Sequence, residues 1–232
     1  MAGRIHMNTA IPHMIIPMLS DAKLLTLTQW LSPAFPLGSF AYSHGVEQAI
    51  RSDWIAGPSD LQDWLEDILR YGSAHSDAVW IRLAHDAETA EEIDVLNAQC
   101  RAYAASLERL REGERQGQAF ARVVSEVWSL TLPALQLPIA LGRAARLSGL
   151  PIDMVVTLYL QAFLGNLVSA AQRLMPLGQT EAQAILSRLN MDCIKIASQT
   201  AQQGLDDIST SAFLSDIAAM RHETLQPRIF QS

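Results

Sequence analysis

Ser43 and His44 stand side by side in the stretch "SPAFPLGSFAYSHGVEQAI", residues 32–50, and a serine beside a histidine raises the chemistry of a nucleophile and its base. Adjacency is the wrong geometry for that pair, because the base normally comes from elsewhere in the fold and is oriented by a third group. The G-x-S-x-G elbow is also absent, since Ala41 stands two places before Ser43. The same residues suit a shaped turn better. Pro36 and Gly38 place restricted and permissive backbone side by side, and Ser39 or Ser43 is placed to cap the short helix that "HGVEQAI" starts.

Metal chemistry needs ligands that converge. The six histidines are His6, His13, His44, His75, His85 and His222. His44 and Glu47 are spaced i, i+3, His75 and Asp77 i, i+2, and His222 and Glu223 are adjacent, so none reproduces H-E-x-x-H or a cysteine-rich zinc spacing. Each histidine is expected at the surface. The Asp206-Asp207 pair precedes "ISTS" and reads as a helix-start loop, without the facing Asp-rich motifs that ionise diphosphates.

The segment "ERLREGERQGQAFAR" sets Glu108 near Arg111, Arg111 near Glu114, Glu112 near Arg115 and Arg122 near Glu126 at helical spacings. Exposed pairs of this kind contribute about 0.2–0.5 kcal/mol each, so the expectation is a solvated face. Gly113 and Gly117 stack on one side of that helix. Each costs about 1 kcal/mol of helix propensity, which points to a close approach by other backbone, internal or at an interface.

Composition narrows the function classes. The chain has 232 residues and a net charge of −7, and its 17 basic residues include only two lysines, Lys23 and Lys195. So acidic a chain suits neither a nucleic-acid backbone nor, lacking G-x-x-x-x-G-K-[ST], a nucleotide phosphate. Cys100 and Cys193 sit far apart in apolar helical contexts and read as buried free thiols, which makes a reducing cytoplasm the default location. The apolar run Met154 to Ala171 is interrupted by Thr157, Gln161, Asn166 and Ser169 and bounded by Asp153 and Arg173, which indicates a buried central helix and no membrane span.

The elements that must position these residues are helical. Leu24, Leu25, Leu27, Trp30 and Leu31 form a short helix that Pro33 stops. In "PSDLQDWLEDILRYG", Ser59 and Gln62 form a cap pair, and Leu61, Trp64, Leu65, Ile68 and Leu69 mark one face. Thr89 and Glu92 cap a long helical segment running through Cys100, Tyr103 and Leu107 to Leu110. Thr180 and Gln183 cap another from Glu181 to Gln203, and a last helix spans about Thr210 to Glu223. The expectation is one all-α globular domain of about eight to ten helices, residues 21–223, with a flexible leader at 1–20 and a tail at 224–232.

Three ordered segments carry a resemblance: "SPAFPLGSFAYSHGVE", "NLVSAAQRLMPLGQTEAQ" and the terminal "RHETLQPRIFQS". Together they resemble the urease accessory protein UreF family, and "ERLREGERQGQAFAR", with Gly117 at the matching glycine, is similar to a fourth family segment. The resemblance implies an all-α, non-enzymatic adaptor that dimerises, binds UreD (also called UreH) and through it brings the GTPase UreG to urease apoprotein. GTP hydrolysis is then coupled to nickel delivery. No cofactor is held permanently, nickel passes in transit, and the phosphate-binding loop belongs to the partner.

The resemblance also implies partner-binding residues: Phe40, Tyr42, His44, Glu47, Gly117, His222, Glu223, Arg228, Ile229 and Phe230. The tail is expected to be free in the isolated chain and ordered by UreD, with Arg228 approaching Phe40. Nickel transit would draw on buried polar groups such as Gln161 and Asn166, for which a dry core with satisfied amides is the expectation. Two readings compete with the adaptor: a direct GTPase-activating protein using an arginine finger from Arg109, Arg111, Arg115 or Arg122, and an all-α metalloenzyme using His44, Glu47 or His222.

Overall fold

Helix ends follow the prolines and glycines closely. The first helix, α1, spans Asp21–Trp30 and stops before Pro33. The computed structural model describes residues 21–232, so the leader expected at 1–20, with His6 and His13, lies outside the described residues. Beyond α1 come a 3-10 turn at Ser39–Ala41, α2 (Val46–Arg51), α3 (Pro58–Tyr71), α4 (Ser73–Asp86), α5 (Ala90–Ala102) and α6 (Leu107–Trp128). Then follow α7 (Leu137–Leu147), α8 (Ile152–Leu174), α9 (Gln179–Gln199), 3-10 turns at Thr200–Gln202 and Leu205–Asp207, and α10 (Phe213–His222). No strand occurs among the described residues, and one continuous apolar core runs through the chain.

Capping chemistry explains where sequence spacing and structure part. Thr89 and Glu92 form the expected reciprocal cap, with Glu92 N donating to Thr89 Oγ1 at 3.1 Å and Thr89 N to Glu92 Oε2 at 3.0 Å. The long segment beyond it is two helices, not one. The Ser106 hydroxyl accepts from Arg109 N at 3.2 Å, and Glu223 accepts from Leu107 N at 2.7 Å, so two side chains satisfy a new helix start at Leu107. At α3 the Asp60 carboxylate accepts from Ala56 N and Gly57 N at 2.9 and 3.1 Å in place of the Ser59 and Gln62 pair. At α9 the helix already starts at Gln179 after Gly178, so Thr180 and Gln183 lie inside it.

The core is built around α4, which packs most extensively on α7. Gly142 makes that approach possible, since a Cβ there would sit 2.2 Å from Ile81 O. Arg82, 6 % exposed, ties α4 to the helices behind it by donating to Asp153 Oδ1 at 2.7 Å, to Thr200 Oγ1 at 3.1 Å and to Ala197 O. The predicted apolar face of α3 is buried as the spacing requires. Helix α8 is long and apolar enough by composition to cross a membrane, but half of that window, 50 %, is buried in the bundle. Val155, Val156, Leu160, Leu164, Leu167 and Val168 face inward, while Gln161 is exposed.

The glycine pair on α6 serves an internal approach. A Cβ on Gly117 would lie 1.9 Å from Leu135 O, and one on Gly113 the same 1.9 Å from Gln136 Oε1, so the connection before α7 crosses directly over α6. Backbone cannot retreat as a side-chain amide can. Gly117→Ala is therefore expected to lower stability by about 1–3 kcal/mol or more in urea unfolding. Gly165→Ala, within α8 and with open space at its Cβ, is expected to raise stability by up to about 1 kcal/mol. Equal stabilities for the two variants would contradict this packing.

Candidate functional site

The opening turn is set by backbone that few residues adopt. Gly38, His44 and Gly45 take positive φ values of 75°, 58° and 83°, and this run of left-handed residues turns the chain sharply into α2. Gly45 also lets α10 come close, because a Cβ there would meet Ala219 N at 3.0 Å. The small residues Ser215, Ala218 and Ala219 make up most of the face that α10 buries, together with His222. The N-cap of α2 is Gly45, without a side-chain cap, while Ser43 Oγ, two residues before it, accepts from Glu47 N at 3.3 Å.

That geometry sinks Glu47 completely, at 0 % exposure. Its carboxylate accepts from Ile229 N at 2.9 Å (Oε1) and from Phe230 N at 2.9 Å (Oε2), two consecutive amides of the C-terminal tail. The His222 Nε2 approaches Oε2 at 3.3 Å, and Arg51 lies 3.8 Å from Oε1. The other ring nitrogen of His222, Nδ1, lies 2.7 Å from Glu108 Oε2. The His222 ring thus lies between the Glu47 and Glu108 carboxylates, with one oxygen near each ring nitrogen. Glu108 also accepts from Arg228.

The tail therefore packs onto the body, contrary to the expectation of a free segment. Gln231 N donates to Ala41 O at 2.7 Å, and Ser43 N to Ser232 O at 2.8 Å, so the last residues run alongside the opening turn. Ser232 Oγ donates to Glu112 Oε2 at 2.7 Å, and Arg115 to Gln231 Oε1 at 2.7 Å. Phe230 is 2 % exposed while Ile229 is 57 % exposed. The physical reason lies in Glu47: a buried carboxylate requires donors, and the tail's backbone supplies them.

The implied partner-binding residues thus fall mostly into one cluster. His44, Glu47, His222, Arg228, Ile229 and Phe230 converge on the seam between the opening turn, α6, α10 and the tail. Tyr42 is buried at the same seam, with Asn166 Nδ2 donating to its carbonyl at 3.4 Å. Glu223 caps α6 beside it, while Gly117 lies apart under Leu135. Arg228 pairs with Glu108, and it is Arg173 that reaches Phe40, donating to its carbonyl at 2.7 Å and stacking 4.3 Å over the Phe230 ring.

Two expectations fail here for one reason. His44 and His222 are core histidines at 3 % and 0 % exposure, and Glu112, at 6 %, is no part of a solvated face. Glu108, Arg109 and Glu112 pair inward, with His222, Arg228 and each other, because α10 and the tail cover that side of α6. Of the four arginines weighed as fingers, Arg109 is committed to Glu112 and Arg115 to Gln231. Sequence spacing named the residues of α6 but not the segment that lies on them; Arg173 and Asp77 entered only as the end of an apolar run and a neighbour of His75, and Tyr159 not at all.

Beside the cluster lies a cavity of about 590 Å³. His44, Ser73, Asp77, Tyr159 and Asn166 line its polar part, and Gln161 also reaches it, so these amides face a cavity and not a dry core. His44 Nε2 lies 2.7 Å from Ser73 Oγ, and its ring meets Phe163 edge-on at 4.7 Å. Tyr159 donates to Asp77 Oδ2 at 2.6 Å. Among the described residues no three His, Cys, Asp or Glu side chains are placed to hold a metal ion. Cys193 is buried and Cys100 partly so, both are free, and burial pushes both thiols up, Cys193 to about 12.

The profile of the UreF family matches residues 55–190. This chain belongs to the UreF family. A urease accessory protein UreF of Roseobacter denitrificans is 46 % identical over 214 residues, covering 92 % of this chain and 96 % of the relative. One from Cereibacter sphaeroides is 49 % identical over 209 residues, covering 90 % and 98 %, and one from Ruegeria pomeroyi 42 % over 213 residues, covering 92 % and 98 %. The family is named for an accessory protein and not for an enzyme.

Burial pushes His44 down to about 4, with Arg109 adding to the shift and Glu112 opposing it. Burial pushes Asp77 up to about 6, against the Tyr159 hydrogen bond and Arg109. For Glu112 burial acts upward, but Arg109, His44 and Ser232 outweigh it and hold the carboxyl at about 2. These shifts have opposite consequences for stability. The His44 contribution is complete above its unfolded value near 6.5 and is lost as pH falls toward 4; the Asp77 contribution is complete below about 3.8 and is lost as pH rises through 6. The two offset each other between pH 4 and 6. Asp77→Asn is expected to unmask a loss, relative to wild type, on the order of 2–3 kcal/mol on acidification across that window, and His44→Asn a loss on raising the pH. Urea unfolding at several pH values measures both, and parallel profiles for all three proteins would contradict it.

Proposed function

We propose that this chain is the adaptor of a urease-maturation assembly. It dimerises, binds UreD (UreH) through the surface that carries its tail, brings the GTPase UreG to urease apoprotein, and couples GTP hydrolysis to the delivery of nickel as cargo. Family membership supports the role in urease maturation, and the free thiols support a cytoplasmic site of action.

The observation that carries the partner surface is the seam itself. A nine-residue terminal segment, 224–232, is held by Glu47, Glu108 and Glu112, and two large apolar side chains, Phe40 at 53 % and Ile229 at 57 %, remain exposed along it. Exposed apolar side chains beside polar groups that are already paired suit the apolar centre of a protein interface, where anchors such as Phe40 and Ile229 become buried. UreD binding then favours the docked tail over the released one, so the partner and the Glu47 contacts act on the same equilibrium.

The cavity beside the seam supports the cargo part of the proposal. Asn166, Gln161, Asp77 and His44 give it polar walls, with Arg109, paired to Glu112, also lining it. Removing residues 227–232 is expected to abolish co-purification with tagged UreD. It should likewise abolish urease activation in a mixture of UreD, UreG, apo-urease, nickel and GTP, while the truncated chain still unfolds cooperatively. Full binding and activation by the truncated chain would overturn the proposal.

A further inference from the structure

Arg173 belongs to no expected site. It stands in the last turn of α8, far in sequence from both segments it touches, and a single guanidinium joins them. An edge N–H donates to the Phe40 carbonyl at 2.7 Å, while the planar face lies 4.3 Å over the ring of Phe230. Phe230 is buried at 2 %, so its ring is held between the body and this cation, with little access to water. Phe40 shows the reverse arrangement: its side chain is 53 % exposed and its carbonyl is taken.

We propose that Arg173 is the positioning residue that clasps the tail to the opening turn and selects an aromatic side chain at position 230. This inference rests on the adaptor reading only for its biological consequence. The physical case is that two demands are met at once. The Phe40 carbonyl requires a donor at the rim of the turn, and the tail requires something that recognises Phe230 and not merely any apolar group. Guanidinium is planar, with donors along its edge and a cationic face, so it meets both without changing rotamer; an ammonium is a point charge that meets one or the other.

Register follows from this. Glu47 accepts from backbone amides, Ile229 N and Phe230 N, and backbone amides alone do not distinguish one residue from its neighbour along an extended segment. The aromatic ring beneath Arg173 does. With Phe230 fixed, Gln231 N meets Ala41 O and Ser232 O meets Ser43 N, while Ile229 is left outward beside the seam. Arg173 thereby sets which apolar side chain the docked tail presents.

Tryptic cleavage of the Arg228–Ile229 bond in the full-length chain, followed as loss of residues 229–232 by mass spectrometry, reads release of the tail. Arg173→Ala is expected to speed that cleavage about tenfold or more, with Arg173→Lys in between. Phe230→Leu keeps an apolar side chain but removes the aromatic face. It should speed cleavage in the wild-type background and have a much smaller effect when Arg173 is already Ala, a non-additivity that a merely structural arginine would not show. Wild-type cleavage by Arg173→Ala, or additive effects of the two substitutions, would overturn the clasp. If instead cleavage behaves as expected but Arg173→Ala activates urease fully with UreD and UreG, the clasp stands and the adaptor reading of the tail falls.

Discussion

A carboxylate with no exposed surface must be met by donors, and the C-terminal architecture of this chain follows from how Glu47 is met. Leaving such a group unpaired costs several kcal/mol, more than most single contacts in a domain contribute. The groups that meet it come from two places distant in sequence: the His222 ring at the end of α10, 3.3 Å away, and the donating amides of Ile229 and Phe230. Both sets converge on the one carboxylate, so α10 and the tail are held to α2 together. The left-handed run through His44 and Gly45 makes room for this by bringing α10 against the start of α2.

From Glu47 the charge pairing passes outward in steps. His222 links it to Glu108, Glu108 takes Arg228, and on the same face of α6 Arg109 and Glu112 pair with each other, with Ser232 closing on Glu112. Each member is satisfied by the next, so the cluster is stable as a unit. The cluster lies beside the polar cavity, and Phe40, which also lines that cavity, and Ile229 are exposed along it.

Periodicity made the helical body legible, and the ordered segments made the family legible. The apolar face of α3 and the Thr89–Glu92 cap could be read from spacing because both are local. The helix break at Tyr103–Ser106 could not, since one of its two stabilising groups, Glu223, comes from the other end of the chain. The same limit explains the site. Glu108, Arg109 and Glu112 read as a solvated stripe because nothing in their neighbourhood announces the tail that covers them, and His44 and His222 read as surface residues because their partners lie far away in sequence. Motif resemblance named most of the cluster's residues, but the contacts among them are tertiary, and Arg173 stood in a matching segment with no spacing to mark it.

The most direct test of the account is backbone amide hydrogen exchange at Ile229 and Phe230 in Glu47→Gln, with core amides such as those of Ile68 and Leu160 as the internal reference. The substitution keeps the size of the side chain and replaces one acceptor oxygen by a donor. The account predicts that both tail amides lose their protection and exchange at rates approaching those of an unstructured peptide, while the core amides stay protected. Wild-type protection of Ile229 and Phe230 in that variant would contradict it.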